Sequence, residues 1–450
     1  MKKVFATILA VLMAVSMLPG CSSQNATSSG STQNSAASTG STTEACQLDM
    51  THMYPKEQEK SDVLNQAFHT LLDQFQSENK NVTLNITEME QSNYSTKIQA
   101  QAAANDLPDV FLVKGSWMKN FYNNNALAAL DTYIDQQGIR SKYRSGTLDA
   151  VTIDEKTYGL PVSCGLTSSI YYNADILKSV GYSSFPTTWD EIFKAGEKLK
   201  AKGISLFALG NKDKWAIESC VLSTMADRYL GTEWTNNIIA NNGKSKFTDA
   251  GFVKTLTLLQ KMATSGLFNA DFNTIPNTQA DTLYCQGKAA ATISGSWTVN
   301  WILTNASKEV SSATKMALLP AVDGGAGDAN STSGGSGWYL CANANLSGAK
   351  LDAAAKLVMY LTGEKTSTLL QESGVIGPIK VSTDLSKLQS LQKEYVTQAN
   401  SITTTPIFDA RLSSAVVDVM NSGMQELLNG TTTPQALAEK IQAEQEKLKN

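Results

Sequence analysis

The sequence predicts two α/β units of about 200 residues each, a size ordinary for single domains. Two observations carry this. From Leu48 to Val113 the apolar residues switch between alternation and helical spacing in the order strand, helix, strand, helix, strand. That is the rhythm of a parallel sheet covered by helices. From Ser169 the rhythm starts again with different residues, and no internal repeat relates the two stretches.

Each element follows from local pattern. Leu48–Tyr54 is the first strand, closed by Pro55 and a polar loop through Glu57, Gln58 and Glu59. Leu64, Phe68, Leu71, Leu72 and Phe75 fall at helical spacing. Val82, Leu84 and Ile86 alternate as a second strand, Asn93–Asn105 reads as a second helix, and Leu107-Pro108-Asp109 opens a third strand, Val110–Val113. In the second unit Ser169–Tyr172 is a strand. Thr188-Trp189-Asp190-Glu191 is a capping box with Thr188 as N-cap. Trp189, Ile192, Phe193 and Leu199 form the buried stripe of the helix it starts, and Gly203 stops it. Ile204–Leu209 is the next strand. Helices are expected over Trp215–Leu230, Thr248–Thr264, Leu351–Leu361 and Thr433–Lys449, the last with Pro434 in its first turn.

Composition narrows the function. Of 450 residues only 17% are charged and 42% are hydrophobic, with a net charge of −4. This excludes a broadly basic chain that coats nucleic acid. The only two histidines, His52 and His69, leave little for His-based metal or triad chemistry. The missing charge is replaced by Ser, Thr, Asn and Gln, concentrated near the N-terminus.

Lys2 and Lys3 precede an apolar run from Val4 to Leu18, a secretory signal pattern too short for a comfortable membrane span. Leu18-Pro19-Gly20-Cys21 resembles the lipobox of bacterial lipoproteins, which implies cleavage after residue 20 and lipidation of Cys21. A diacylglyceryl group supplies the two chains that stable anchoring needs. Loss of Lys2 and Lys3 leaves a charge of −6, with no electrostatic reason to lie on anionic lipid. Ser22–Thr43 carries no charged residue, aromatic or proline, the composition of a flexible linker, and residues 21–45 are assigned to it. Five cysteines remain, an odd number for an exported chain. Cys164, Cys220, Cys285 and Cys341 lie singly among apolar or small residues and read as buried thiols.

Enzyme templates fail in turn. There is no C-x-x-C, no H-E-x-x-H and no close His pair. Gly243-Lys244-Ser245 ends like a P-loop, but Ile238 stands where its first glycine belongs. Gly334-Gly335-Ser336-Gly337-Trp338 lacks the last glycine of a nucleophile elbow, and Ser312-Ala313-Thr314-Lys315 lacks the companions of an S-x-x-K site. No catalytic residue, metal or cofactor is expected. What stands out instead are Trp117, Trp215, Trp297 and Trp338 in polar or glycine-rich loops. Flat rings with few charges nearby suit the C–H faces of neutral, hydroxyl-rich ligands.

In their order, five motifs resemble the extracellular solute-binding proteins of ABC importers, in the carbohydrate-associated family 1 group that includes maltose-binding protein. They are Pro108-Asp109-Val110; Tyr158-Gly159-Leu160-Pro161 leading to Tyr171-Tyr172-Asn173; Pro186-Thr187-Thr188-Trp189-Asp190-Glu191; Gln286-Gly287-Lys288-Ala289-Ala290 running into Gly295-Ser296-Trp297; and the helix Ala353–Leu361 ahead of Gly377-Pro378. The resemblance implies an α/β, two-lobed periplasmic-binding-protein-like (type II) fold with an inter-lobe cleft and hinge strands. Lobe 1 would hold residues 46–165 and 340–398, and lobe 2 residues 168–338 and 403–450. It implies ligand contacts from Tyr54 and Glu57 after the first strand, and from Lys114 and Trp117 after the third. Trp215 and Trp297 would come from the second lobe, with Asp409 and Arg411 at the start of the penultimate helix. The tryptophans would stack, and Glu57 and Asp409 would hold hydroxyls. Cys164 and Cys341 would both fall near crossing strands, where a bond between them would restrict closure. The implied function is capture of a mono- or oligosaccharide by hinge closure at the outer face of the bacterial cell membrane. Separate permease and ATPase chains would be its partners, with no nucleic acid. A non-sugar solute and a secreted glycoside-active enzyme stay open as alternatives.

Overall fold

The computed structural model describes residues 45–59, 62–144 and 146–448; the signal segment, Cys21 and nearly all of the linker lie outside them. The strands, in chain order, begin with β1 (Cys46–His52), β2 (Val82–Glu88) and β3 (Val110–Lys114). A small hairpin, β4 (Thr152–Ile153) and β5 (Lys156–Thr157), precedes β6 (Leu160–Pro161) and β7 (Gly165–Leu166). Next come β8 (Ser169–Asn173), β9 (Ser205–Ala208), β10 (Ala289–Ser294) and β11 (Thr314–Ala317). β12 (Ser331–Gly335), β13 (Trp338–Ala342) and β14 (Thr403–Thr405) complete the set.

Two sheets organise two lobes. The first has the order β2-β1-β3-β13-β6, with β1 parallel to β2 and β3, and β13 antiparallel. Its central strand β3 is a continuous apolar run, with Val110, Phe111, Leu112 and Val113 all buried, while the edge strand β2 alternates buried Val82 and Leu84 with exposed Thr83 and Asn85. Helices Val63–Glu78 and Gly348–Thr362 cover the sheet. The second sheet has the order β11-β8-β10-β9. Period-two alternation splits β8 between two cores: Ile170 and Tyr172 face one, Tyr171 the other.

A third sheet, β14-β12-β7, joins them. β7 carries the chain from the first sheet to the second, and β12 carries it back. Apart from the buried Leu166, the strands of this sheet are built of Ser, Thr and Gly. Gly334 pairs with Leu166 and Gly335 with Gly165. A Cβ on Gly334 would stand 2.7 Å from the Gly165 carbonyl oxygen, so glycine is what permits the close crossing. Arg228 pins the loop that feeds β12. It is fully buried and donates to the Ser331 hydroxyl at 2.7 Å and to the backbone carbonyls of Asp328, Ala329 and Ser331.

The expected elements are present with ends displaced by up to three residues. The strand expected at Leu48–Tyr54 is β1, and the helix expected at Asn93–Asn105 is Gln91–Ala103. Thr188 caps helix Trp189–Lys200 by accepting from the Glu191 N–H. Helix Ser390–Ser401 lies at the junction of the lobes: Leu391, Tyr395 and Val396 pack with Tyr171 and Tyr284 of the second lobe, while Gln392 donates to the Ser373 carbonyl and Asn400 accepts from Arg144. The apolar face of the helix matches the outer face of the second sheet. Cys164, Cys220, Cys285 and Cys341 are buried and free. A bond between Cys164 and Cys341 is therefore not made: Cys164 Sγ lies 3.6 Å from the Ser336 hydroxyl, and Cys341 donates to the Tyr339 carbonyl. Among the described residues, no helix is long and apolar enough to cross a membrane, and no His/Cys/Asp/Glu cluster could hold a metal.

Candidate ligand-binding site

In open α/β sheets, ligands bind beyond the carboxyl ends of the parallel strands. Both sheets place paired tryptophans there. In the first lobe, Trp117 lies three residues past the end of β3. Trp338 pairs with Lys114 at the same end of the sheet. Their rings meet at 5.3 Å and 87°, edge to face. In the second lobe, Trp215 follows β9 and Trp297 follows β10, and these rings meet at 5.6 Å and 68°. Trp297 is 41% exposed and the other three are half-buried. Each lobe thus offers an apolar ring pair with surface to spare.

Lys114, opposite Trp338 in the sheet, and Glu218, three residues past Trp215, belong to a charged group that the ring pattern does not reveal. Lys114, at the end of β3, donates to Asp409 Oδ2 at 3.0 Å. Asp409 belongs to the short helix Phe408–Arg411, whose Phe408 N–H donates to the Ser223 hydroxyl. That hydroxyl in turn donates to Glu218 Oε1 at 2.8 Å, and Ser219 donates to Oε2 at 3.0 Å. Glu218 is fully buried in a π-turn, Glu218–Leu222, set within the helical run 215–230. Single π-turns of this kind recur at functional sites. Burial, then the nearby Asp409 charge, push the Glu218 carboxyl up; the two serine hydroxyls and Lys114 oppose this without reversing it. Burial pulls the Lys114 ammonium down, but the charge and hydrogen bond of Asp409 outweigh it and hold it above its ordinary value. Lys114 and Asp409 thus neutralise each other, and Glu218 offers no exposed carboxyl to a ligand.

Of the expected contact residues, Trp117, Trp215 and Trp297 stand where a ligand could meet them. Lys114 and Asp409 meet each other. Tyr54 is a correction: its ring is 5% exposed, packed 4.7 Å from Phe68 in the first core, because the chain turns inward after β1. Glu57 is exposed on the turn Lys56–Gln58. Asp409 and Arg411 do not start the penultimate helix, Ser414–Leu428; they form their own short turn before it, and Arg411 faces Asp149 at 3.7 Å. Sequence reasoning named no role for Glu218, Asn277 or Asp281 and left Trp338 off the contact set. A tryptophan ending a glycine-rich run was the available signal for Trp338.

The second-lobe rings rest on a built support. The Trp297 indole N–H donates to Asn277 Oδ1 at 3.1 Å. Thr298 donates to Asp281 Oδ2 at 3.0 Å, and Thr292 to Oδ1 at 3.2 Å. Burial raises the Asp281 carboxyl to about 7 against the lowering effect of these two hydroxyls.

The family profile of bacterial extracellular solute-binding proteins matches residues 61–367. A putative binding protein of Brucella abortus is 26% identical over 228 residues, 51% of this chain and 54% of that protein. The chain spans about half the length of this curated relative. The melibiose/raffinose/stachyose-binding protein of Bacillus subtilis is 24% identical over 460 residues, covering all of this chain and 97% of its own. The solved structure of a chitin oligosaccharide binding protein is 25% identical with a TM-score of 0.78, covering 89% of this chain and 98% of that one. That structure and this chain share the two-lobed periplasmic-binding-protein-like fold.

Proposed function

The chain belongs to the bacterial extracellular solute-binding protein family, and from that premise we propose that it captures a mono- or oligosaccharide for an ABC importer. The observation that carries this reading is the edge-paired tryptophans at the carboxyl ends of the strands in both lobes. Ring faces suit the C–H faces of sugars. The Lys114–Asp409 ion pair supports a neutral ligand, since it leaves neither charge unmatched. The named sugars of the Bacillus subtilis relative and the chitin oligosaccharide of the solved structure support the same ligand class. Closing the lobes over the sugar is the event a permease reads. The lipobox-like Leu18-Pro19-Gly20-Cys21 supports a lipid anchor at Cys21 on the outer face of the cell membrane, with residues 21–45 as tether.

A thermal-shift screen of xylo-, chito-, malto- and galacto-oligosaccharides tests this. A sugar at a hundred times its Kd stabilises the native state by about 2.7 kcal/mol. Trp297→Ala is expected to weaken that sugar about tenfold to a hundredfold while leaving the Tm of the empty protein nearly unchanged. Stabilisation by an amino acid, polyamine or sugar phosphate alone, or release of shorter sugars during incubation, would overturn the reading.

A further inference from the structure

Trp297 is held before any ligand arrives. Its indole has one N–H donor, and Asn277 Oδ1 occupies it. Its ring meets that of Trp215 and lies over Gly295 so closely that a Cβ there would stand 2.1 Å from it. The next residue, Thr298, is gripped by Asp281, and the hydroxyls of Thr298 and Ser294 are 2.8 Å apart. Asn277 and Asp281 are both buried and lie four apart on the helix Asn277–Cys285, hence on one face. One helix face therefore holds two consecutive residues of the Gly-Ser-Trp segment, one by its ring and one by its hydroxyl.

We propose that Asn277 and Asp281 are positioning residues that set the plane of Trp297, and that Asn277, by occupying the indole N–H, restricts this ring to contact through its faces alone. The proposal rests on the sugar-binding reading for what the ring meets, but not for how the ring is held. Its consequence is a division of labour. Trp297 selects a ligand with a flat patch of C–H groups and is blind to the orientation of its hydroxyls, which other side chains must read. A ring already ordered also avoids the cost of ordering one side chain on binding, about 0.5–1.5 kcal/mol, or about two- to twelvefold in affinity.

Fluorine NMR of the empty protein labelled with 5-fluorotryptophan reads the ring directly. The Trp297 line is identified by its loss in Trp297→Phe. Asn277→Ala and Asp281→Ala are expected to shift and broaden that line. Asn277→Asp and Asp281→Asn, which keep an oxygen acceptor and the side-chain shape, should restore it and serve if an alanine variant fails to fold. A Trp297 line unchanged in both alanine variants, or not restored by either conservative one, would overturn the proposal. With raffinose and chitotriose as probe sugars, Asn277→Ala should weaken whichever binds by about two- to tenfold. The same change should have no further effect in a Trp297→Ala background, and an equal further loss there would also overturn it. The ring measurement needs no sugar, so it decides this proposal even where the oligosaccharide screen overturns the function.

Discussion

Glu218 shows what a single buried carboxyl contributes. It accepts from Ser219 and Ser223 with Asp409 close by, and burial raises its proton affinity in the folded chain. Above the ordinary glutamate range the unfolded chain has lost this proton while the native chain still binds it. Stability is therefore complete below that range and falls as pH rises towards the folded value. Glu218→Gln keeps the shape and the neutral form, so it should match the parent near pH 4. By pH 8 it should be more stable, by about 1.4 kcal/mol for each unit that the carboxyl is raised. Urea unfolding at the two pH values checks this; a gap that stays constant or reverses would mean that Glu218 ionises freely. Little of this was legible. Glu218 sits beside Cys220 and Val221 in what reads as continuous helix, and nothing local announces a π-turn. Asn277 and Asp281 look like ordinary polar residues because their partners lie 20 and 17 positions away. Trp117, Trp215 and Trp297 could be read because a tryptophan in a polar loop after a strand has no apolar stripe to join. Tyr54 came from the family resemblance alone, and its ring turns into the core.

At the scale of elements, periodicity was enough wherever an element was long. Helix Val63–Glu78 buries Phe68, Leu71, Leu72 and Phe75 at the spacing read from the sequence, and Thr433 caps the last helix by accepting from the Ala436 N–H. The crossing strands β7, β12 and β14 escaped because, Leu166 apart, they are built of Ser, Thr and Gly, and such a composition reads as loop. Their energetics rest on backbone approach rather than apolar burial. Gly334→Ala would place a methyl 2.7 Å from the Gly165 carbonyl and 3.1 Å from Thr404 Cγ2. Backbone cannot step aside as a flexible side chain does, so the expected loss is about 1–3 kcal/mol. Urea unfolding of the empty protein measures it. A variant as stable as the parent would mean that the crossing sheet spreads without cost.

For the whole molecule, the question is whether two lobes joined by short strands act as one receptor. The first core gathers β1, β3 and β13 with their helices; the others gather around β8, β9 and β10 and take in the C-terminal helices Ser414–Leu428 and Pro434–Lys447. Among the links between them are the third sheet, the Arg411–Asp149 pair and the Lys114–Asp409–Glu218 group. That group draws on the end of β3, the short helix Phe408–Arg411 and the π-turn of the second lobe. A ligand can shift the balance between open and closed arrangements only by its difference in affinity for the two. A sugar held by one tryptophan pair alone would bind both arrangements equally and move nothing. One that meets Trp117 and Trp338 on one side and Trp215 and Trp297 on the other binds the closed arrangement better by the whole of its second contact. A second contact worth about 2.7 kcal/mol shifts the ratio about a hundredfold. Small-angle scattering should therefore record a smaller radius of gyration at saturating sugar. Trp117→Ala should leave the scattering of the empty protein unchanged. With the sugar raised to saturation again, it should contract less than the parent, because occupancy no longer supplies the second contact. Equal contraction in the variant would place the closing contact elsewhere in the first lobe, and no contraction in the parent would mean that binding is confined to one lobe.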